Sequence, residues 1–500
     1  MGNVNNLLKT DKTVTNRDGY KSFNRSIEEQ FIQLMMCNSL TNTFYVSSEE
    51  LLSESVDVIR EMMKKDTEFA AKAIVYARNN GFMRSQPILA LAILAEYDKD
   101  LFKQIFNKVC LIPSDVFEFL SFYKWLGHGT GGRMVKQAIA NFLNANLSPY
   151  WIIKYNGRGR GFNLKDLVKI SHIKPANDSI NELIKYLLDL KYDADRFQQL
   201  KLYDWFRSTA QYLAEDSIID LIRKAKLPHE VVTSRVNMTP AIWEALMYEM
   251  PVMALLRHLA TLEKNDVFNS EENVNFVIER LTNEDLLLRA KILPFRVYDA
   301  YKKIFNERIK DALREALETT VANLPDIEGK TAILIDTSWS MEKLISKASL
   351  FAISLYKKTN GNAVVIEFNN SAKKVELSKH DSILTQMDKF VARGGTNTAS
   401  AVELLIKNNI IVDNIVVITD EQQNDGAPFY NVLNKYRKWI NPNVKTFIVD
   451  LSPYRNYFTP PADKNTFYVF GWSQSVLDYI ALNTKDTNSI VDEINNVKLF

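Results

Sequence analysis

The chain has 500 residues, of which 46% are hydrophobic and 24% are charged, so it can bury the cores of two or three domains. Its formal net charge of +2 excludes a strongly basic field over the whole protein, and any nucleic-acid surface must be a local patch. The two cysteines, Cys37 and Cys110, argue against a disulfide framework and favour a reducing compartment.

The N-terminal segment from Met1 to Lys9 lacks the long apolar core of a signal peptide. No apolar run in the sequence approaches the ~20 residues that a membrane-spanning helix needs. We therefore expect a soluble, cytoplasmic protein without membrane contacts.

From about Ser26 to Thr320, apolar residues recur at spacings of three and four, which predicts helices almost throughout. The clearest predicted helices are Ser48 to Met63, Asp66 to Asn79, Ser85 to Tyr97, Pro113 to Leu126 and Arg133 to Asn144. Short connections place successive helices antiparallel, and a series of such pairs forms a HEAT-like solenoid. No repeat is strict, so the periodicity alone predicts only a long helical array.

Within this helical part, the segment from Lys154 to Pro175 has six Lys or Arg against the single acid Asp166. Its loop contains three glycines, which let a backbone approach phosphates, and Arg158 and Arg160, whose guanidinium groups can form bidentate hydrogen bonds with phosphates. By composition alone, a solvated glycine loop followed by an ordinary amphipathic helix explains the segment equally well.

After Thr331 the pattern changes to apolar strands that alternate with helices, which is typical of a doubly wound sheet. The predicted strands are Ala332 to Ile335, Ala363 to Phe368, Asn414 to Thr419, Lys445 to Leu451 and Thr466 to Phe470. The predicted helices lie near Lys343 to Lys358, Thr398 to Lys407, Pro428 to Trp439 and Ser475 to Ala481. The domain boundary is expected near Asn323 to Gly329.

Three loops that follow or join these strands carry side-chain oxygens: Asp336, Ser338, Ser340, Thr396 and Asp420. Sites in open parallel sheets assemble at the carboxyl ends of neighbouring strands, so the three loops can converge on one ion. Oxygen donors without thiol or imidazole suit Mg²⁺ or Mn²⁺ rather than Zn²⁺ or copper. These five positions resemble the metal-ion-dependent adhesion site of a von Willebrand factor A domain.

Two other interpretations of the first loop remain open. Serines beside an aspartate often only cap the next helix. Haloacid-dehalogenase-like phosphatases also place an aspartate after an apolar strand, but they need a second aspartate two residues later. Ser338 occupies that place and cannot act as a general acid or base at neutral pH.

Several segments, taken in order, resemble the Ro ribonucleoprotein autoantigen and its bacterial orthologues, which are built on the telomerase, Ro and vault (TROVE) module. They are Gln86 to Ile93, Gly132 to Ala140, Lys165 to Pro175, Trp243 to Arg257 and Arg289 to Phe295. An adhesion-type domain directly after them is also the Ro arrangement. The resemblance covers nearly the whole chain, from about Asp18 to the C-terminus.

This resemblance implies an α plus α/β protein with two domains. Residues 18–325 would form a TROVE ring of HEAT-like helical repeats, and residues 326–500 a doubly wound, Rossmann-like von Willebrand factor A domain. The family implies a non-enzymatic RNA-binding protein that acts in noncoding-RNA quality control, maturation or decay. Expected partners are small structured Y or Y-like RNAs, the single-stranded 3′ ends of misfolded RNAs and an exoribonuclease. We expect a monomer.

A solenoid would gather basic residues of consecutive helices on one rim. The predicted RNA contacts are Lys124, Arg133, Lys136, Lys154, Arg158, Arg160, His172 and Lys174. His172 could instead cap a helix, although the family match favours RNA contact. A rival hypothesis from another class is a metal-dependent protein-binding scaffold, whose A domain holds a partner's carboxylate and which has no dedicated RNA role.

Overall fold

The computed structural model describes residues 13–15, 21–24, 26–37, 48–157, 161–451, 456–457, 459, 463, 465–470, 476–477, 480–481, 484 and 490–499. Contacts divide the chain into two compact units. Unit 2 is the continuous stretch Asp98–Thr320, whereas unit 1 combines the described residues up to Tyr97 with those from Val321 onward. The end of unit 2 thus lies close to the predicted boundary near residue 325, but the helices before Tyr97 group with the C-terminal part of the chain.

The N-terminal part of unit 1 is a short β-hairpin followed by helices. Its elements are β1 Thr13–Thr15, β2 Lys21–Asn24, α1 Ile27–Cys37, α2 Ser48–Lys65, α3 Thr67–Asn79 and α4 Ser85–Tyr97. Asp66 is the N-cap of α3, because its carboxylate accepts a hydrogen bond from the Phe69 amide at 2.9 Å. Every residue from Gln86 to Ala95 is buried, so α4 is surrounded by other elements on all sides.

Unit 2 consists of helices joined mainly by short turns. They are α5 Lys99–Val109, α6 Pro113–Tyr123, α7 Arg133–Asn146, α8 Pro149–Tyr155, α9 Leu164–Ser171, α10 Asp178–Leu187, α11 Gln198–Thr209, α12 Glu215–Ala225, α13 His229–Thr233, α14 Pro240–Glu249, α15 Val252–Lys264, α16 Glu271–Thr282, α17 Glu284–Arg289, α18 Pro294–Tyr301 and α19 Glu307–Ala322, whose last residues enter unit 1. Helix α6 ends earlier than predicted, because a π-helical turn, Lys124–His128, follows it.

An aromatic cluster holds the first helices of unit 2 together. Phe106 of α5 lies 5.4 Å from Phe119 of α6 and 6.4 Å from Phe142 of α7, measured between ring centroids. Phe142 in turn stacks on Trp151 of α8 at 5.4 Å. Buried aromatic pairs in these offset and edge geometries each add about 0.5–1.5 kcal/mol beyond the area that they bury.

The C-terminal part of unit 1 is a mixed, six-stranded sheet with helices. Its elements are β3 Thr331–Asp336, α20 Ile345–Lys358, β4 Ala363–Phe368, β5 Ala372–Val375, α21 Ile383–Met387, α22 Thr398–Lys407, β6 Asn414–Thr419, α23 Phe429–Trp439, β7 Lys445–Asp450, β8 Asn456–Tyr457, β9 Thr466–Phe470 and α24 Ile490–Asn495. The strand order is β5-β4-β3-β6-β7-β9. All neighbours pair in parallel except the edge strand β5, which is antiparallel to β4.

Both central strands of this sheet are buried along their whole length. All six residues of β3 and all six of β6 are inaccessible, so both faces of the sheet are covered, as the continuous apolar runs predicted. The chain runs outward from β3 in one direction to β4 and in the other to β6. The order therefore reverses between β3 and β6, which is where crevices form in such sheets.

The two ends of the chain meet within unit 1. Helix α1 contacts β9, and β2 pairs with β8. The Tyr76 hydroxyl of α3 donates a hydrogen bond to the Glu493 carboxylate of α24 at 2.8 Å. Of the predicted helix from Ser475 to Ala481, the structure describes four residues, all of them helical: Val476, Leu477, Ile480 and Ala481. Among the helices that the structure describes, none is long and apolar enough to cross a membrane.

Candidate functional site

The first predicted metal-binding residue, Asp336, is the last residue of β3 and is fully buried. Its Oδ1 accepts a hydrogen bond from the Ser338 amide at 2.9 Å, and its Oδ2 accepts one from the Thr419 hydroxyl at 2.7 Å. Because Thr419 ends the neighbouring strand β6, the carboxylate is fixed between the carboxyl ends of β3 and β6.

Ser338 and Ser340 lie on the loop that leaves β3, and their hydroxyl oxygens are 3.1 Å apart. The Ser340 hydroxyl also hydrogen-bonds the carboxylate of Asp420, the buried residue that follows β6. The structure therefore links four of the five predicted metal ligands at the point where the strand order reverses.

The fifth predicted ligand, Thr396, is held between the same loops by its neighbours' backbone. The Trp339 amide donates to the Gly394 carbonyl at 3.0 Å. The Thr396 amide donates to the Asn424 side chain at 2.8 Å, and the Asn424 amide donates back to the Thr396 carbonyl at 3.0 Å. Thr396 is buried and tied to the loops that carry Ser338 and Asp420.

Among the described residues, no cationic side chain lowers the pKa of either aspartate of this site. Burial raises the pKa of Asp336 to about 6, although hydrogen bonds from Thr419 and Ser338 oppose the increase. Burial, together with the nearby Asp336 carboxylate, raises the pKa of Asp420 to about 8. A divalent cation would stabilise both ionised carboxylates, so the site has the charge and the oxygen donors that Mg²⁺ or Mn²⁺ requires.

Clusters of several His, Cys, Asp or Glu side chains that could bind a metal ion are not seen in the described part of the chain. No group of three or more His, Cys, Asp or Glu side chains there is arranged to hold a metal ion. The predicted set around Asp336 has two carboxylates, and its other three members are hydroxyl groups. It therefore has fewer than three side chains of these four types.

The predicted RNA contacts that the structure describes all lie in unit 2. Arg158 and Arg160 fall outside the described residues. Lys124, Arg133, His172 and Lys174 are exposed, and Lys136 is partly exposed. His172 is also the C-cap of α9, with a left-handed backbone at φ 48°, so it ends the helix while its side chain remains exposed.

Helices α7 and α9 pack against each other, and their ends place the basic residues. Asn144, near the end of α7, donates to the Lys174 carbonyl at 3.0 Å and accepts from the Ala176 amide at 2.9 Å. Lys174 therefore lies beside the C-terminal end of α7, whereas Arg133 begins that helix. At 1.5 Å per residue the separation along the helix is about 16 Å, so the basic residues extend along α7 rather than collect at one end.

Lys154, another predicted RNA contact, is partly buried and contacts other side chains of the protein. Its Nζ lies 3.9 Å from a Glu230 carboxylate oxygen and 3.4 Å from the Tyr150 hydroxyl. The same nitrogen is 5.7 Å from the centre of the Tyr150 ring and 5.8 Å from that of Tyr155. Burial lowers the pKa of Lys154, but Glu230 and the tyrosines raise it by more, so the ammonium group is satisfied within the protein.

A longer basic stretch encloses most of these residues. From Phe119 to Lys165 the sequence contains no Asp or Glu. Its basic residues are Lys124, Arg133, Lys136, Lys154, Arg158, Arg160 and Lys165. Lys124, Arg133 and Lys136 were predicted as contacts from the sequence, but a basic excess was described only from Lys154 onward, and the absence of acids from the whole stretch was not recognised.

Comparison with known families agrees with both parts of the architecture. Residues 155–350 match the family model of the TROVE domain, and residues 330–482 match that of the Ro60 vWA domain. The chain therefore carries a TROVE domain followed by a Ro60-type vWA domain.

Curated relatives align with nearly the whole of this chain. The RNA-binding protein RO60 of Deinococcus radiodurans is 22% identical over 500 residues, which cover 92% of this chain and 93% of that protein. The RNA-binding protein RO60 of Caenorhabditis elegans is 20% identical over 577 residues, with 93% and 89% covered. The crystal structure of the D. radiodurans RO (RSR) protein matches with a TM-score of 0.71 and 21% identity, over 92% of this chain and 100% of that one. The predicted Ro resemblance and fold class are confirmed.

Proposed function

We propose that this protein binds small structured noncoding RNAs of the Y or Y-like type and the single-stranded ends of misfolded RNAs. It would act in noncoding-RNA quality control, maturation or decay, with an exoribonuclease as a partner. The observation that carries the proposal is the acid-free basic stretch from Phe119 to Lys165 on the helices of unit 2. The names of the curated relatives, which are RNA-binding proteins, support it.

Lys124, Arg133 and Lys136 lie at the start of this stretch and are available to phosphates. Contacts of this kind supply affinity and carry little sequence information. Selection would then rest on RNA shape and on unpaired ends. We expect a monomer in the cytoplasm that carries out this role without membrane contact.

The test is the salt dependence of binding to a small hairpin RNA. Each phosphate contact contributes about 0.7–0.9 to the slope of log K against log salt. Replacing Lys124, Arg133 and Lys136 together with Ala should therefore weaken binding and lower the slope by about two units. The matched control removes three exposed lysines from unit 1, Lys379, Lys407 and Lys438, which changes the net charge equally. Equal slopes for the two triple variants would contradict the proposal.

The second part of the proposal concerns the five oxygen ligands around Asp336, Thr396 and Asp420. They would hold Mg²⁺ or Mn²⁺, and the ion would supply positive charge to an anionic oxygen of a partner, such as a Glu or Asp side chain. None of the five has a nucleophile beside a His or Lys base, which hydrolysis normally requires, so the site would bind rather than catalyse. Trp339, whose side chain is 55% exposed between the two serines, favours contact with a protein partner.

Metal binding and RNA binding can be separated by one substitution. Asp336→Ala should abolish Mg²⁺ or Mn²⁺ binding in calorimetry and leave the affinity for hairpin RNA unchanged. A phosphatase or nuclease turnover that this substitution removes would refute the non-enzymatic role. Purified protein that binds no RNA but captures polypeptides in a metal-dependent way would favour the alternative, a protein-binding scaffold without an RNA role.

A further inference from the structure

The turn between α6 and α7 presents an aromatic side chain in the middle of the basic stretch. Trp125 lies in the π-helical turn Lys124–His128, and 56% of its side chain is exposed. Indole is large and apolar at one end and carries a polar N–H, and tryptophan is enriched at interfaces for this reason. Lys124 precedes it, and Arg133 begins the next helix; both are exposed. The nearest acids in sequence are Glu118 and Asp166.

The base of this turn is anchored to the core. Tyr123 is buried and stacks on Phe119 with ring centroids 5.5 Å apart and planes 18° apart. His128 folds back onto Tyr123 at 4.7 Å. Phe119 itself belongs to the aromatic cluster around Phe106. The π-helical turn Lys124–His128 is therefore anchored at both ends, and the backbone that carries Trp125 is held in place.

Glycines shape the rest of the turn and keep the space beside it open. Gly127, Gly129 and Gly131 have φ values of +96°, +64° and +96°, which side-chain-bearing residues rarely adopt. A Cβ added at Gly127 or Gly129 would meet no atom within 4 Å. A Cβ at Gly131 would lie 2.7 Å from the Val135 Cβ, so this glycine is needed for the turn to meet α7.

We propose that the Lys124–Arg133 turn is a stacking site for an unpaired RNA base, with the Trp125 indole as its platform. Every base has a flat aromatic face, so stacking on indole tolerates any sequence. The basic side chains of Lys124 and Arg133 hold the phosphates that flank the base. Paired bases stay within their own helix, so the site distinguishes single-stranded segments from duplex RNA. This inference rests on the proposed RNA-binding function. It adds a residue that recognises unpaired bases rather than the charge of the phosphates.

The experiment compares three fluorescein-labelled probes on the full chain: a ten-nucleotide oligouridine, the same oligomer with abasic residues, and a blunt-ended RNA duplex. Base stacking contributes a roughly five- to hundredfold effect per base. Trp125→Ala should weaken oligouridine binding by that factor without changing the salt slope. The Trp125→Phe variant should retain most of the affinity. Binding of the abasic oligomer and of the duplex should be unchanged in both variants, because neither offers an unpaired base.

The matched control is Trp439→Ala, which removes a tryptophan that is 61% exposed in unit 1. It should bind all three probes like the wild type. Equal affinity of the wild type and Trp125→Ala for oligouridine would overturn the stacking site, as would an equal loss on intact and abasic oligomers. Those outcomes leave hairpin binding and its salt slope in place. A wild-type protein that bound neither the oligouridine nor the hairpin RNA would instead refute both the stacking site and the proposed function.

Discussion

Some basic residues are paired within the protein and others are exposed where RNA can contact them. Lys154 offers a direct test of this distinction. Its side chain is 28% exposed and pairs at 3.9 Å with Glu230, whose side chain is 48% exposed. Replacing Lys154 with Ala removes this pair, the contacts with two tyrosine rings and the packing of the aliphatic stem. Lys124→Ala is the comparison, because Lys124 is exposed in the same basic stretch.

The magnitudes follow from the contacts. A screened ion pair of this exposure is worth about 0–1 kcal/mol, and each cation–π contact at such a site about 0.5–1 kcal/mol. These terms overlap, so Lys154→Ala should destabilise the protein by about 1–2 kcal/mol. For a unit of this size, that lowers the unfolding temperature by about 2–8 °C. Lys124→Ala should change stability by less than about 0.5 kcal/mol.

RNA binding should show the opposite order. Lys124→Ala should lower the salt slope of hairpin binding by about 0.7–0.9, because one phosphate contact is lost. Lys154→Ala should leave the slope unchanged. Thermal unfolding followed by circular dichroism, together with RNA titrations at several salt concentrations, measures both quantities on the same samples. If Lys154→Ala were as stable as the wild type and lowered the slope, Lys154 would be a phosphate contact and its pairing with Glu230 would be incidental.

Three further predictions concern other parts of the molecule. Burial lowers the pKa of His229, so the unfolded chain binds a proton more tightly than the folded chain. The contribution of neutral His229 to the free energy of unfolding is therefore complete above about pH 6.5 and is lost as the pH falls. Thermal unfolding between about pH 7 and pH 5 should therefore depend less on pH in His229→Gln, whereas the exposed control His380→Gln should behave like the wild type. Gly131→Ala should cost about 2 kcal/mol or more, because it meets both a positive φ and a steric clash, and Gly132→Ala, which meets neither, should cost far less. Affinity for Mg²⁺ in calorimetry should rise between about pH 6 and pH 8, since both buried aspartates must lose protons to bind it, and a flat profile would contradict their raised pKa values.

Local sequence patterns predicted the elements well where burial is continuous. The strands Ala363–Phe368 and Asn414–Thr419 and the helix Ser85–Tyr97 have the predicted bounds, because apolar runs and caps are encoded within each segment. The edge strand Ala372–Val375 was not predicted. Its sequence, Ala-Lys-Lys-Val, is short and polar, and only pairing with β4 makes it a strand.

The candidate site shows the same division between local and distant information. The convergence of the side chains around Asp336 was predicted from the sequence, because Asp336 ends one apolar strand and Asp420 directly follows another. Whether these side chains bind a metal ion stays a prediction. The environment of Lys154 was not predicted, since its partner Glu230 lies 76 residues later in the chain and no local pattern links them. Trp125 was missed because an isolated aromatic residue after a helical run resembles a core residue until its exposure is known.

Unit 1 combines two distant parts of the chain, and this has a consequence for biosynthesis. Tyr76 and Glu493, which share a hydrogen bond, are 417 residues apart in sequence. On the ribosome, α1 and α3 emerge long before β9 and α24, the C-terminal elements that they contact. Unit 2, a continuous stretch from Asp98 to Thr320, can fold as soon as it has emerged. The N-terminal helices must therefore wait with apolar surface uncovered until the C-terminal elements of unit 1 have been synthesised, and they are the part of the nascent chain that most needs a chaperone.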